Sequence, residues 1–266
     1  MNEWTRKSIE KANSPGYLDE LQEVYPVAQE AQREIDQTVI EALKQMYDGG
    51  DDLALIKQLL KLEKFPIKDP YVAFLRKNER FLQYNPQTVK RIAERIRSMG
   101  FEAMIKSVEE PKEFNRQIGT LFSKWIQGIG YPILPENKLT AYNEGIALLE
   151  GGDRQLMEFA NEILGCKLNK GLDFLAKVGE TYVIGEAKFL TEYGGHQDRQ
   201  LEDALRLLEG TEGDAVRVAV LDGVVWIKSR AKMHKQIRGL KLKDRYTALT
   251  ALLLKDFLQS LLQSSR

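Results

Sequence analysis

Apolar residues recur at helical spacing through most of the first 130 positions, whereas after about residue 170 they gather into short runs bounded by turn residues. From about Leu18 to Met46 one stripe collects Leu21, Val24, Ala28, Ala31, Ile35, Val39 and Leu43, divided at Pro26. Asn85-Pro86, then Val89, Ile92 and Ile96, then Gly100, predict a helix with its cap, first-turn proline and stop. Another is predicted from about Pro111 to Gln127, with Ile118, Leu121, Phe122, Trp125 and Ile126 as its stripe. Two strands, roughly Leu172–Val178 and Thr181–Phe189, are joined by Gly179-Glu180, a Gly-X pair suited to a type II′ turn. Tyr193-Gly194-Gly195-His196 ends the second strand, and the helix that follows carries Leu201, Ala204, Leu205 and Leu208. Strands Ala215–Leu221 and Val224–Lys228 flank Asp222-Gly223, which reads as a hairpin turn, and a last helix is expected from about Lys243 to Gln263 through Tyr246, Leu249, Leu253, Phe257 and Leu261. The pattern describes an α/β protein: a largely helical N-terminal region, residues 1–130, packed on a core of residues 131–266.

The Gly179-Glu180 turn sets a register. Val178 faces Thr181, Leu175 faces Ile184, and Asp173 falls opposite Glu186. Opposed residues on one sheet face have Cβ atoms about 4.5–5.5 Å apart, and two bare carboxylates at that distance repel by roughly 3 kcal/mol at an effective dielectric near 20. A divalent cation reverses the sign. Glu186 and Lys188 share a face while Ala187 points away, so two carboxylates and an ammonium converge. Such a trio suits phosphodiester hydrolysis: the carboxylates offer hard oxygens to Mg²⁺, the ion polarises phosphate and acidifies a bound water, and the ammonium orients the nucleophile. The alternative is a solvated salt-bridge cluster on a sheet edge. Flanking Leu172, Phe174, Leu175, Val183, Ile184 and Phe189 weigh against it, because they place the charges in a segment that wants burial.

Gly171–Leu175, Ile184–Lys188 and the continuation FLTEYGGHQDRQLEDAL together resemble the catalytic core of type II restriction endonucleases of the PD-(D/E)xK nuclease superfamily. The resemblance spans about Asn143 to Asp222, with a weaker echo at residues 114–126. Leu172 stands where the name-giving proline often precedes the aspartate. The resemblance implies a PD-(D/E)xK restriction-endonuclease-like core, a mixed β-sheet flanked by helices. It assigns Asp173 and Glu186 to Mg²⁺ and Lys188 to the nucleophile, and it implies cleavage of double-stranded DNA to 5′-phosphates by a homodimer at a short symmetric site. A DNA methyltransferase is the expected genetic partner. Family members often carry a further acid, for which Glu144 and Glu202 are the candidates; the plainer reading of each is an exposed helix acid.

After Lys188, the glycine pair allows close approach of backbone to DNA, with His196, Gln197, Arg199 or Gln200 near phosphates or base edges; an ordinary strand-to-helix turn explains it equally. The most basic stretch runs through Lys228, Arg230, Lys232, Lys235, Arg238, Lys241, Lys243 and Arg245 against the single acid Asp244, and DNA backbone contact is expected there. The whole chain is balanced, 39 basic and 39 acidic residues, which fits a basic cleft with acidic outer surfaces and argues against a coat or packaging protein. Lys90, Arg91, Arg95 and Arg97 make the Asn85 helix basic outside, for DNA or for solvent. One cysteine, Cys166, excludes an intrachain disulfide framework and suits a reducing cytoplasm. The absence of a long apolar run or a signal-like N-terminus points away from membranes and secretion. No P-loop, GxGxxG or histidine-rich metal pattern occurs. Two other functions stay open: a structure- or end-directed nuclease of the same fold, and a non-catalytic DNA-binding protein on a degenerate core, against which the intact trio counts.

Overall fold

The computed structural model describes residues 1–26, 34–110, 114–242 and 246–264. The chain divides into two compact units, Met1–Val27 with Glu113–Arg266, and Ala28–Lys112. The expected boundary near residue 130 is therefore not where the contacts divide the chain. Helices α1 (Glu3–Ala12) and α2 (Tyr17–Val24) belong to the first unit.

In the Ala28–Lys112 unit every element among the described residues is a helix: α3 (Gln37–Asp48), α4 (Asp52–Lys61), α5 (Val72–Lys77), α6 (Arg80–Tyr84), α7 (Pro86–Met99) and α8 (Phe101–Glu109). Asp36 and Asp51 cap α3 and α4 by accepting from Thr38 N–H (2.8 Å) and Ala54 N–H (3.0 Å). Their apolar stripes meet in a core of Leu43, Leu55, Ile56, Leu59, Ile92, Ile96 and Met104. The single stripe read from Leu18 to Met46 is thus two helices in different units, and its Ala28 and Ala31 lie outside the described residues. Pro86 opens α7 and Gly100, at φ +83°, ends it as expected. Asn85 caps nothing, because its Nδ2 donates backward to Phe81 O at 2.8 Å.

The first unit continues with α9 (Phe114–Gln127), β1 (Ile133–Leu134), α10 (Glu136–Ala141), β2 (Ile146–Leu149), α11 (Asp153–Glu162), β3 (Phe174–Val178) and β4 (Thr181–Leu190). Then come α12 (Gly195–Glu209), β5 (Ala215–Gly223), α13 (Lys232–Gly239), β6 (Thr247–Leu249) and α14 (Leu254–Ser264). The strands form one mixed sheet in sequence order, antiparallel across β2–β3–β4 and parallel elsewhere. Side chains of the central strands alternate between two apolar clusters. Phe174, Ala176 and Val183 join the larger one with Phe122, Leu201, Ala204 and Phe257, and Leu175 and Ile184 join the smaller one with Leu139, Leu156 and Phe159.

Two expectations fail for tertiary reasons. Asp222-Gly223 does not turn a hairpin: both residues complete β5 opposite Phe189 and Leu190, and the Asp222 carboxylate is buried on Tyr25, Thr250 and the Ala251 N–H. The chain after Gly223 takes a short 3-10 turn at Val224–Trp226 rather than a strand. The last helix begins only at Leu254, because Thr247–Leu249 pairs with Val218–Val220 as a parallel strand. Pro111, Lys243 and Arg245 lie outside the described residues. No helix among the described residues is long and apolar enough to cross a membrane.

Gly185 is the tightest point near the hairpin's open end. A Cβ there would stand 1.9 Å from the ring of Phe174, its cross-strand partner. Gly185→Ala is expected to displace that buried ring at a cost of about 2–3 kcal/mol, the range of overpacked core substitutions, readable as a lower urea midpoint at unchanged slope.

Candidate active site

The β3–β4 hairpin turns at Gly179, whose φ of +55° suits the first position of a Gly-X turn. Its ladder runs Val178↔Thr181, Leu175↔Ile184 and Phe174↔Gly185, as the turn dictates. The ladder ends there: Asp173 lies in a bend just before β3 and donates its N–H to Gly185 O at 3.0 Å, so it is not the direct cross-strand partner of Glu186 that the turn count predicts. Its side chain folds across the partner strand, where Oδ2 accepts the Ala187 N–H at 2.7 Å. Glu186 is only 5 % exposed, and its Oε1 receives two ammonium groups, Lys188 at 2.9 Å and Lys170. The Lys188 Nζ also donates to Ala187 O at 2.9 Å and stands 3.8 Å from Asp173 Oδ2. The three residues read from the sequence therefore meet.

Burial, more than any neighbour, holds the Asp173 carboxyl above its ordinary range; Lys188 and the Ala187 N–H pull it down, while Glu186 and Asp153 push it further up. Asp173 Oδ1 and Glu186 Oε2 have no partner among the described residues. Two such hard oxygens, with ammonium groups gathered on the opposite ones, fit Mg²⁺, which binds through one or two carboxylates and keeps several waters. Among the described residues no group of three or more His, Cys, Asp or Glu converges for a metal ion, so waters and phosphate oxygens would complete the coordination. The site opens into two hollows. One, of about 240 Å³, is lined by Lys170, Glu186, Arg206 and Arg217 among others; the other, of about 220 Å³, is lined by Glu150, Asp153, Asp173 and Phe174 among others.

Two residues at this site were not read from the sequence. Asp153 opens α11, and its carbonyl accepts the Leu172 N–H at 3.1 Å. A Cβ on Gly171 would meet the Asp153 Cβ at 2.7 Å, so glycine is what lets the acid approach Asp173. Lys170 precedes that glycine. The only sequence signal for the pair was Gly151-Gly152-Asp153 ahead of a helical stripe, and Lys170-Gly171 just before Asp173.

The other candidates are dispersed. Glu144 is exposed in a bend before β2, not on a helix, and Gly145 O accepts the Gly179 N–H at the turn end of the hairpin. Six residues of extended chain separate that end from Asp173, on the order of 20 Å. Glu202 pairs with Lys232 at 3.0 Å. Gln197 is buried, its amide accepting from Thr191 N–H and donating to Thr191 Oγ1, both at 2.7 Å, so it braces the loop after β4 rather than facing outward. His196 is exposed and contacts Gln200 at 3.1 Å. Arg199, Lys228, Arg230, Lys232, Lys235 and Arg238 are exposed. Buried Arg217 caps the end of α12, donating to Leu207 O (3.2 Å) and Glu212 O (2.5 Å).

The chain matches no curated protein and no solved structure. The model of the Tsp45I type II restriction enzyme family, in contrast, matches residues 2–261, nearly the whole length and both compact units. Together with a site suited to phosphodiester hydrolysis, that match makes the chain a sequence-specific DNA endonuclease, a member of the Tsp45I family of type II restriction enzymes.

Proposed function

We propose that the chain cleaves DNA with Mg²⁺ on a PD-(D/E)xK core, with Asp173 and Glu186 as the metal carboxylates and Lys188 as the group that positions the nucleophile. The observation that carries this is the convergence of these three side chains at one end of the hairpin, with Asp173 Oδ1 and Glu186 Oε2 left open. Asp173 and Glu186 would hold the ion there, and its chemistry would be to polarise a phosphate oxygen and acidify a water. The Ala187 N–H fixes one oxygen of Asp173, and Lys170 and Lys188 fix one of Glu186, so neither carboxylate has to be ordered during reaction. The Lys188 ammonium holds the attacking water and offsets charge on the pentacovalent phosphorus. Water oxygen bonds to phosphorus as the bond to the 3′ oxygen breaks; the water's proton leaves to solvent and the 3′ oxygen takes one up, giving a 5′-phosphate and a 3′-hydroxyl.

Each chain carries one such trio, whereas a duplex has two strands to cut. That supports a homodimer in which the two-fold axis of the protein meets that of the site. Arg199, Lys228, Arg230, Lys235 and Arg238 are the exposed cations proposed to contact the backbone, with His196 beside them. A site-specific nuclease in the cytoplasm endangers its own genome, so a DNA methyltransferase of the same specificity is its proposed partner. The test is digestion of unmethylated phage DNA with Mg²⁺, Ca²⁺ or EDTA. Discrete fragments with 5′-phosphate ends in Mg²⁺ alone are expected; fragments in EDTA would overturn the metal assignment.

Asp153 takes the place proposed from sequence for Glu144 or Glu202 as the accessory acid. Asp153→Asn is expected to raise the Mg²⁺ concentration for half-maximal cleavage by about 10- to 100-fold, as outer-shell changes at metal sites do. It should also move the acid limb of the pH profile downward, since one source of the raised Asp173 carboxyl is gone. An unchanged Mg²⁺ requirement would assign Asp153 to packing alone.

A further inference from the structure

The helical unit carries an aromatic hollow that its own core leaves unfilled. Leu75, Leu82, Val89 and Ile92 turn inward, but Phe74 is 61 % exposed and Tyr84 68 %, and Tyr71 and Phe81 are also open to solvent. Single exposed apolar side chains need no explanation, whereas three rings, Tyr71, Phe74 and Phe81, around one concavity do. Helices α5 and α6 and the start of α7 enclose about 420 Å³ lined by Tyr71, Phe74, Leu75, Phe81, Asn85 and Thr88, a size at which pockets hold small planar ligands.

Polar groups stand at one edge of this hollow. Asn85 and Thr88, three apart at the start of α7, share a helix face. The Asn85 amide is oriented by its bond to Phe81 O, which leaves Oδ1 free to accept. Tyr71 is held from behind: the Arg91 guanidinium lies 5.5 Å from its ring centre and is itself fixed by Asp69 at 2.6 and 3.2 Å. The segment that forms the hollow is cationic. Between residues 68 and 95 there are seven lysines and arginines against three acids, in a chain of zero net charge. Of those acids Asp69 is spent on Arg91 and Arg95, while Lys77 and Arg80 pair with no acid among the described residues.

Flat rings, hydrogen-bonding side chains at one edge and unpaired cations in the chain between Leu75 and Phe81 are complementary to a planar heterocycle carried on a polyanion. We propose that this hollow receives an unstacked nucleobase of the bound DNA: the rings stack on its face, Asn85 and Thr88 meet its edge, and Lys77 and Arg80 take the flanking phosphates. The proposal rests on the chain's acting on DNA and adds where in the helical unit a base is held.

The test uses the full chain with Lys188→Ala, to silence cleavage, and a short oligothymidylate containing 5-iodouracil. Ultraviolet cross-links are expected at Tyr71, Phe74 or Phe81. Phe74→Ala, at a position too exposed to matter for folding, should weaken oligonucleotide binding by about 5- to 100-fold, and Phe74→Tyr should restore it, as for other aromatic stacking platforms. Unchanged affinity in Phe74→Ala, or cross-links confined to the sheet-containing unit, would overturn the proposal; if the same substitution in an otherwise wild-type chain still cut DNA, the endonuclease reading would stand without it. A change from dimer to monomer on ultracentrifugation of Phe74→Ala would also overturn it, by making the hollow a subunit contact. Failure of the wild-type chain to bind or cut any DNA would instead remove the endonuclease reading, and this proposal with it.

Discussion

Lys188→Ala is expected to lower the single-turnover rate of DNA cleavage by about 10²- to 10³-fold, the cost of deleting one preorganised charged group at a reacting centre. Asp173→Asn and Glu186→Gln are expected to cost more, about three to four orders of magnitude, because several kcal/mol of metal assistance go with the carboxylate and each ~1.36 kcal/mol is tenfold. The geometry separates their other effects. Lys188 is replaceable without unfolding, since Glu186 keeps Lys170 on the same oxygen. Glu186→Gln releases both ammonium groups from a buried anion and removes negative charge beside the phosphate, so binding to duplex DNA in EDTA should tighten even as cleavage disappears. The pH profile has its own signature. Burial holds the Asp173 carboxyl above its ordinary range, and only the ionised form accepts a metal, so cleavage should fall on the acid side at a higher pH than an ordinary carboxylate dictates, and added Mg²⁺ should move that limb downward. Lys188→Ala cutting within about tenfold of wild type would take Lys188 out of the reaction.

The meeting of Asp173, Glu186 and Lys188 was legible because most of what assembles it is local. The Gly-X turn sets the ladder as far as Phe174↔Gly185, and although Asp173 leaves that register it stays within one residue of it, beside Lys188 on the partner strand. Asp153 and Lys170 were not legible, because they arrive by contacts between segments: α11 closes on Gly171, and that contact brings both charges to the hairpin. Asp222-Gly223 shows the same limit in reverse. The pair has the composition of a turn, but its carboxylate finds donors from Tyr25 and Thr250, so β5 runs straight through it. Strand β6 lacks the length to be read from pattern and exists because β5 offers an edge. In the helical unit, stripes marked α7 and the part of α3 up to Met46 but not α4, α5, α6 or α8, and Phe74, which fits no stripe, lines the aromatic hollow.

Asp222→Asn is expected to gain stability relative to wild type by about 3 kcal/mol between about pH 4 and about pH 7. The Asp222 side chain is wholly buried. Its Oδ2 accepts from Tyr25 O–H at 2.8 Å, its Oδ1 from Thr250 O–H, and both lie 3.3 Å from the Ala251 N–H. Burial nonetheless outweighs these bonds and pushes its carboxyl from 3.8 to about 6. Since the folded value is above the unfolded one, the folded state binds the proton more tightly. The stability contributed by that proton is fully present below 3.8 and is lost as pH rises through about 6, and about two units at ~1.36 kcal/mol each give the expected change. Asparagine is neutral throughout, so the difference between variant and wild type isolates this one group from all other titrations. The position matters to the site, because Asp222 pairs with Phe189, next to Lys188, while the Tyr25 ring packs edge-on against Phe189 at 4.9 Å. The network thus fastens the chain beyond α2 to the strand that carries Lys188. Urea unfolding of both proteins across this range would show the difference growing as pH rises; a difference independent of pH would mean that Asp222 is charged at every pH tested and that its three donors outweigh burial.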